Sequence, residues 1–356
     1  MNEINVLIME QSKTFCRQMA NVLGEYTNIQ IVATVHSIEE GKKVLFTSEI
    51  DVILLDVTIG ENSRKTVEIL LENKAIPILM LADHSVEQTA KTVQAMVAGA
   101  VDFIKFRRKT LGDIKENEAQ LVKKIAMAKK EKGLVSLPQK KKQKVVKVVR
   151  AEKERKSNHS FPKTIVAIGA STGGPRALQQ IIKQLPKDIP VPLLIVQHMP
   201  SGFTKSLANR LNEISDIRVK EAVNGEKIQN GTAYIAPGDY HMEVIQRGNN
   251  FHIEINKKEA RSGHRPSVNT LFESVAKVKD THTIAVILTG MGKDGSEGIK
   301  MIKQMQEKAV ILVESEETAI INGMPNAAIE TNKVTEVLRV EHIAQAIVDY
   351  VADRGK

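Results

Sequence analysis

The chain has 356 residues, of which 42% are hydrophobic and 26% are charged, the composition of a soluble globular protein long enough for two domains. Aromatic residues make up only 3% and Trp is absent, which disfavours a binder of single-stranded nucleic acid that stacks bases on aromatic side chains. The net charge of +9 comes entirely from positions 129–156, which hold twelve basic and three acidic residues.

The N-terminus and the cysteine content predict a cytoplasmic protein. Met1-Asn2-Glu3 opens neither a basic region nor a long apolar run, so we expect no secretory signal. Apolar runs such as 76–82 are too short for membrane insertion. The single cysteine, Cys16, excludes an internal disulfide and fits a reducing compartment.

Residues 1–124 alternate between strand and helix patterns. Strands are predicted at 5–9, 30–35, 52–55, 76–81 and 101–104, and helices at 13–23, 38–46 and 85–98, with a last helix ending near 128. This βα alternation predicts a doubly wound parallel sheet covered by helices on both faces.

Residues 125–160 are predicted to be a basic linker. Most of this segment lacks apolar periodicity and it contains Lys140-Lys141-Lys142, so it is typical of a solvated tether. Two interpretations remain open at this point: a flexible spacer, or a segment that contacts an acidic partner or nucleic acid.

Residues 161–354 predict a second α/β domain. Strands are expected at 164–168, 192–197, 283–288 and 309–313, and helices near 175–184, 204–213, 267–278, 295–306 and 340–351. The polar region 219–255 is expected to form β-hairpins, with turn signals at Asn224-Gly225, Asn230-Gly231 and Gly248-Asn249. The predicted fold is therefore an open, mainly parallel sheet with a hairpin insertion.

The segment Ile168–Pro175, of sequence Ile-Gly-Ala-Ser-Thr-Gly-Gly-Pro, is the strongest functional signal in the chain. It follows an apolar strand, and Pro175 suits the first turn of a helix. Ser171 is therefore expected on a tight strand-to-helix turn, where backbone N–H groups favour negative charge. Such a hydroxyl is either a nucleophile beside an oxyanion hole or part of a phosphate cradle.

Polar residues follow three predicted strands of this domain. Ser171 follows the first, His198 follows 193–197, and Asp294 lies in the Gly-rich turn after 284–288. Ligands of open α/β sheets bind beyond the carboxyl ends of the strands, so neighbouring strands would bring these residues together. A nucleophile, a base and an orienting carboxylate form a serine hydrolase triad, which is defined by geometry rather than chain order.

Each of these residues also has a structural interpretation. Ser171 and Asp294 could simply cap the helices that follow them, and His198 could be an ordinary strand-end histidine. Gly169–Gly173 matches the G-x-S-x-G elbow of α/β-hydrolases, but the order Ser, His, Asp differs from the order of that fold. The other histidines show no metal-ligand spacing, so no metal site is expected in this domain.

A set of motifs running in order through residues 161–354 resembles the CheB family of chemotaxis protein-glutamate methylesterases. The motifs are Ile168–Pro175, Gln197–Pro200 with Phe203-Thr204, Ala236–His241, Pro266–Val268, Leu288–Gly295 and Gly323–Pro325. The family's architecture, a response-regulator receiver tethered to a methylesterase domain, matches the two predicted domains.

This resemblance implies hydrolysis of glutamate methyl esters on chemoreceptors and deamidation of receptor glutamines. It implies Ser171 as nucleophile, His198 as general base and acid, and Asp294 as the residue that orients His198. Backbone N–H groups near Thr172 and Met291 are the candidates for the oxyanion hole. No cofactor is needed for this chemistry. The implied partners are methylated chemoreceptor cytoplasmic domains and a chemotaxis histidine kinase, and we expect a monomer that binds no nucleic acid.

Residues 1–124 resemble a receiver in which several functional positions are altered. Asp56 occupies the phosphoacceptor position, while Glu10 and Gln11 stand where an acidic pair helps to hold Mg²⁺. Glu10 and Asp56 therefore predict a degenerate Mg²⁺ site. Ala82 replaces the switch hydroxyl, and Lys105 lies one position before the expected lysine. We expect phosphorylation to have little control over this chain.

A different class of function is a receiver fused to a phosphate- or nucleotide-binding module, with the basic tether contacting nucleic acid. Its phosphate cradle would be the same Gly-rich turn around Ser171. However, that turn lacks the G-K-[ST] ending of a P-loop and is followed by no acidic residue suited to Mg²⁺.

Overall fold

A computed structural model describes residues 3–72, 75–83, 85–107, 109–130 and 163–353. Its elements divide into two α/β units, as the sequence predicts. Most of the predicted basic linker 125–160 lies outside the described residues.

The N-terminal domain is a five-stranded parallel sheet flanked by five helices. Its strands are β1 (Ile4–Met9), β2 (Ile29–Val35), β3 (Val52–Asp56), β4 (Ile78–Ala82) and β5 (Asp102–Lys105), and its helices are α1 (Lys13–Gly24), α2 (Ile38–Thr47), α3 (Ser63–Leu71), α4 (Val86–Ala98) and α5 (Leu111–Lys130). The strand order β2-β1-β3-β4-β5 places the carboxyl ends of β1 and β3 side by side. Side chains of Ser12, Ser37, Asn62 and Ser85 cap α1 to α4 by accepting backbone N–H groups.

The C-terminal domain has a seven-stranded parallel sheet in the order β14-β13-β12-β6-β7-β9-β8. Its strands are β6 (Lys163–Ala170), β7 (Leu193–Gln197), β8 (Arg218–Glu221), β9 (Thr232–Ile235), β12 (Thr281–Ile287), β13 (Val310–Glu314) and β14 (Glu336–Leu338). Its helices are α6 (Gly174–Ile182), α7 (Phe203–Ile214), α8 (Val268–Ala276), α9 (Ser296–Met305), α10 (Gly323–Ile329) and α11 (Val340–Asp353).

The region expected to form hairpins contains one hairpin and two strands of the main sheet. The hairpin consists of β10 (His241–Arg247) and β11 (Asn250–Asn256), which pair antiparallel around Gly248. By contrast, β8 and β9 pair in parallel, so Asn224-Gly225 and Asn230-Gly231 belong to the crossover between them and are not hairpin turns. The prediction of hairpins at these two turns is therefore wrong.

Strand order in the C-terminal sheet positions the site. The chain passes from β6 to β7 on one side and later returns to β12 on the other side of β6. Interior residues of the three strands, such as Ile168, Ile195 and Val286, are fully buried. The three strands whose ends carry the predicted site residues are thus direct neighbours, at the place where α/β sheets bind ligands.

Candidate active site

Ser171 lies on a tight turn between β6 and α6. Its backbone N–H donates to Thr289 O (3.0 Å), and its carbonyl accepts from Gln197 Nε2 (2.7 Å). Gly173 has φ of 80°, a left-handed conformation that a residue with a side chain adopts only at a cost, and Pro175 lies in the first turn of α6. The turn is therefore held by neighbouring strand ends on both sides.

His198 lies next to Ser171 because their strands are in register. Ala170 pairs with Gln197 at the ends of β6 and β7, so Ser171 and His198 are the next residues in the same register. The backbone N–H of His198 donates to Ala170 O (3.0 Å), which continues the ladder by one step. The predicted nucleophile and the predicted base thus leave the sheet as neighbours.

Asp294 holds the other side of the His198 ring. His198 Nε2 lies 2.8 Å from Asp294 Oδ2, and the side chains are only 7% and 1% exposed. With the ring proton on Nε2, Nδ1 is the basic nitrogen. It is buried and has no hydrogen-bond partner among the residues that the structure describes. The imidazole is therefore oriented by Asp294 with one nitrogen left to take a proton.

Asp294 is surrounded by hydrogen-bond donors at the start of α8. Oδ1 accepts from Ser267 Oγ (2.9 Å) and Asn269 N (3.0 Å), and Oδ2 accepts from Val268 N (2.7 Å) as well as from His198. Burial alone would raise the pKa of Asp294, but its bond to His198, the charge of that ring and the backbone amides hold the pKa below its usual value. Asp294 is thus an ionised partner for His198.

The two oxyanion-hole candidates, Thr172 and Met291, lie together at the edge of the site. Both line a small cavity of about 30 Å³, whose walls also include Asp102 and Lys124 of the N-terminal domain. Thr172 directly follows Ser171, and Met291 follows Gly290, whose Cα lies so close to Ser171 that an added Cβ would fall 2.7 Å from the Ser171 Cβ. The structure therefore brings both candidate backbone groups beside the nucleophile turn.

Glu314 is a buried acid near the site that the sequence reasoning missed. It ends β13 and is 1% exposed. Its Oε2 accepts from Thr289 N (2.8 Å) and its Oε1 from Thr318 Oγ1 (3.0 Å). Burial raises the pKa of Glu314 to about 7, although these two hydrogen bonds oppose the shift. Because the carbonyl of Thr289 accepts the Ser171 N–H, Glu314 stabilises the nucleophile turn through Thr289. Its position at a strand end was the signal that could have found it.

The N-terminal domain contacts the nucleophile turn directly. Thr172 Oγ1 donates to Asp102 Oδ2 (2.7 Å), and Gly173 N donates to Val101 O (3.1 Å). Beside these bonds, the rings of Phe103 and Phe203 stack at 4.4 Å between centroids. The amino end of β5, in the first domain, therefore closes one side of the candidate site.

Asp56 and Glu10 meet in an acidic pocket of the N-terminal domain, as the sequence predicts, but a lysine also enters it. Lys109 Nζ forms ion pairs with Asp56 Oδ2 and with Glu10 Oε2 (3.0 Å). Lys105, expected from the sequence to be the displaced pocket lysine, instead lies over the Phe203 ring, 5.5 Å from its centroid. That expectation is wrong because Lys109, with φ of 53°, turns back to the carboxyl end of β3.

The residues of this pocket do not fit Mg²⁺. The remaining Asp56 oxygen accepts the Thr58 N–H (2.7 Å) and hydroxyl, and Glu10 Oε1 accepts from Ser12 N (2.9 Å). Burial and the neighbouring Asp56 raise the pKa of Glu10 to about 7. All four carboxylate oxygens are thus engaged, one partner being a cation, whereas Mg²⁺ requires available carboxylate oxygens. Across the described ranges, no cluster of three or more His, Cys, Asp or Glu side chains could hold a metal ion.

Comparison with known proteins agrees with this two-domain architecture. The family model for CheB methylesterase matches residues 166–347, and the model for the response regulator receiver domain matches residues 6–112. A protein-glutamate methylesterase/protein-glutamine glutaminase of Halalkalibacterium halodurans is 40% identical over 349 residues, covering 98% of each chain. Its counterpart in Bacillus subtilis is 38% identical over 360 residues, again covering 98% of each.

A solved structure extends the comparison to the fold of the C-terminal domain. The CheB methylesterase catalytic domain of Thermotoga maritima is 41% identical, has a TM-score of 0.51, and covers 53% of this chain and 98% of that one. The two folds and these comparisons define a receiver domain joined to an α/β domain of the methylesterase type. The chain belongs to the CheB methylesterase family. Within the described residues, none of the helices is both long and apolar enough to cross a bilayer.

Proposed function

We propose that this protein hydrolyses the methyl esters of glutamate side chains, and deamidates glutamine side chains, on the cytoplasmic domains of chemoreceptors. The observation that carries the proposal is the placement of Ser171 and His198 in register at adjoining strand ends, with His198 bonded to a buried, ionised Asp294. Membership of the CheB methylesterase family supports the substrate class.

In the proposed mechanism, Ser171 Oγ attacks the ester carbonyl while His198 Nδ1 accepts the hydroxyl proton. Asp294 keeps the ring proton on Nε2 and stabilises the imidazolium that forms. The oxyanion of the tetrahedral intermediate is bound by backbone N–H groups near Thr172 and Met291. His198 then gives its proton to the departing methanol, which leaves an acyl-enzyme.

Water completes the reaction by the same groups in reverse order. His198 removes a proton from water, the hydroxide attacks the acyl-enzyme carbonyl, and the proton passes to Ser171 Oγ as the free glutamate leaves. With a glutamine side chain the first leaving group is ammonia. Every proton transfer uses groups of this chain, and no metal or cofactor is needed.

The proposed setting is a cytoplasmic monomer that meets methylated chemoreceptors and a chemotaxis histidine kinase. The receiver domain supports the kinase as a class of partner. The alternative, a phosphate- or nucleotide-binding module with a tether that contacts nucleic acid, is disfavoured because the C-terminal domain matches the methylesterase family from residue 166 to residue 347.

The test is methanol release from membranes that carry methylated receptors. Ser171→Ala should abolish release while leaving the fold intact. Ser215→Ala, at the end of α7 in the same domain, should release methanol at the wild-type rate. Substantial activity in Ser171→Ala would end the assignment of Ser171 as nucleophile. A wild-type protein that releases methanol only after a metal ion is added would contradict the metal-free mechanism.

A further inference from the structure

A second imidazole covers the face of His198. The rings of His198 and His264 are parallel within 5° and their centroids are 4.0 Å apart. This is the geometry of a stacked aromatic pair. The contact matters because the bond from Nε2 to Asp294 fixes one edge of the His198 ring, whereas a stacked ring restrains its plane.

The backbone that carries His264 is itself fixed. Arg261 and His264 exchange two backbone hydrogen bonds, of 3.0 and 2.9 Å. The two residues between them, Ser262 and Gly263, have φ of 52° and 79°, as in a tight hairpin turn. Arg265 Nη1 then donates to the carbonyls of Lys257 (3.2 Å) and Lys258 (3.0 Å), which ties the loop to its own start.

The same segment also holds Asp294. Ser267, Val268 and Asn269, three to five residues after His264, supply three of the four hydrogen bonds to the Asp294 carboxylate. One stretch of chain therefore fixes both restraints on His198, the carboxylate at its edge and the ring on its face.

His264 is neutral where the reaction would run. Burial, and then the charge of His198, lower the pKa of His264 to about 4, against the opposing charge of Asp294. A neutral ring does not repel the imidazolium that forms on His198, and its π face attracts a cation stacked upon it. His264 can thus restrain His198 in both of the protonation states that the reaction uses.

We propose that His264 is a positioning residue of the esterase reaction: its stacked ring holds the plane of His198 so that Nδ1 faces Ser171 while Nε2 faces Asp294. His264 forms no bond to the reacting atoms and acts through His198. The proposal rests on the assignment of Ser171, His198 and Asp294 given above.

The experiment compares three variants of the full chain, His264→Ala, His264→Phe and His342→Ala. The first removes the ring and the second keeps a stacking ring without nitrogens. The third removes an exposed histidine on α11 as the matched control. The first readout is the rate at which a fluorophosphonate labels Ser171, since this depends on His198 but not on receptor binding. The second is kcat and KM for methanol release.

We expect His264→Ala to slow labelling and lower kcat by about three- to tenfold, the effect of losing one aromatic pair, with KM within about twofold. His264→Phe should recover both rates to within about twofold of the wild type, and His342→Ala should match the wild type. Circular dichroism and thermal melting verify that each variant is folded. If His264→Ala does not fold, the proposal is tested by comparing the labelling rate and kcat of His264→Phe with those of the wild type.

Two results would overturn the proposal. Wild-type labelling in His264→Ala would show that the stack has no effect on His198. A folded His264→Phe as slow as His264→Ala would show that the nitrogens of His264, and not its ring, are required. Failure of the proposed function looks different: the wild type would then release no methanol and Ser171 would not be labelled. Methanol release by Ser171→Ala would instead overturn the assignment of Ser171 as nucleophile.

Discussion

Four donors surround the Asp294 carboxylate, and this decides which ring nitrogen of His198 carries the proton. A buried carboxylate remains ionised only where hydrogen bonds replace the water it has lost. Ser267, Val268, Asn269 and His198 supply them here. The imidazole is therefore fixed with its proton on Nε2 before any substrate arrives, which is the preorganisation that a histidine base needs.

Asp294→Asn should lower kcat by about 10³- to 10⁴-fold and should also lower the melting temperature, because a buried amide would replace a carboxylate that four donors surround. An asparagine carries one acceptor oxygen, and its NH₂ group would face N–H donors or force His198 into the other tautomer. Methanol release and thermal melting measure the two effects. A loss of less than about tenfold in a folded Asp294→Asn protein would contradict the role given to this carboxylate.

Which residues could be predicted from the sequence depended on how each is placed. Ser171, His198 and Asp294 follow buried strands, so strand order alone brought them to one edge. Lys109 and His264 were not found because each reaches its partner from a loop with left-handed backbone, at Lys109 itself and at Ser262-Gly263. Apolar periodicity contains no information about which distant partner a side chain on such a loop will contact.

At the scale of elements, local turn chemistry was a weaker guide than apolar runs. The Asn-Gly pairs at 224–225 and 230–231 do form turns, with φ of 79° and 69° at their glycines. They lie within a crossover rather than in hairpins because β8 and β9 run parallel. Helix α3 was missed since it has only nine residues and its buried face includes Ser63 and Thr66, which weaken its apolar pattern.

The end of β13 supports the end of β12 through Glu314, whose pKa is raised to about 7 from an ordinary 4.5. A carboxyl group with a raised pKa binds its proton more tightly in the folded chain than in the unfolded chain. Its contribution is complete below about pH 4.5 and is lost as pH rises through about 7. The free energy of unfolding of the C-terminal domain should therefore fall over this interval, by up to about 3 kcal/mol from Glu314.

Glu314→Gln should flatten this pH dependence, because the amide does not titrate and its oxygen still accepts from Thr289 N. Melting temperatures of the C-terminal domain in the full chain, taken between about pH 5 and about pH 8, give the slope. Glu10→Gln is the matched control. Glu10 is a buried glutamate with a raised pKa in the other domain, so its replacement should leave this slope unchanged. Equal slopes in wild type and Glu314→Gln would show that Glu314 does not titrate in this range.

At the scale of the whole molecule, the receiver domain is in contact with the site but its acidic pocket is already neutralised. Asp102 and Val101 bind the two residues that follow Ser171, and Phe103 stacks on Phe203. At the other end of the domain, Lys109 pairs with both Asp56 and Glu10, and Ala82 offers no hydroxyl to a phosphoryl group. The contact between the receiver domain and the nucleophile turn, which could restrain the enzyme, is thus present. The phosphorylation pocket that would release this contact is altered.

A small phosphodonor with Mg²⁺ should therefore change methylesterase activity by less than about threefold, a population shift of under about 0.7 kcal/mol. Asp56 would have to give up its bonds to Lys109 and Thr58 before reacting, and Gln11 supplies no carboxylate for the metal. Asp102→Ala is the control for the assay, because loosening the contact with Thr172 should raise activity if the receiver restrains the site. Removing residues 1–128 should raise it for the same reason. Stoichiometric phosphorylation of Asp56 with tenfold or greater activation would show that Lys109 gives way to the phosphoryl group and that the pocket works as a switch.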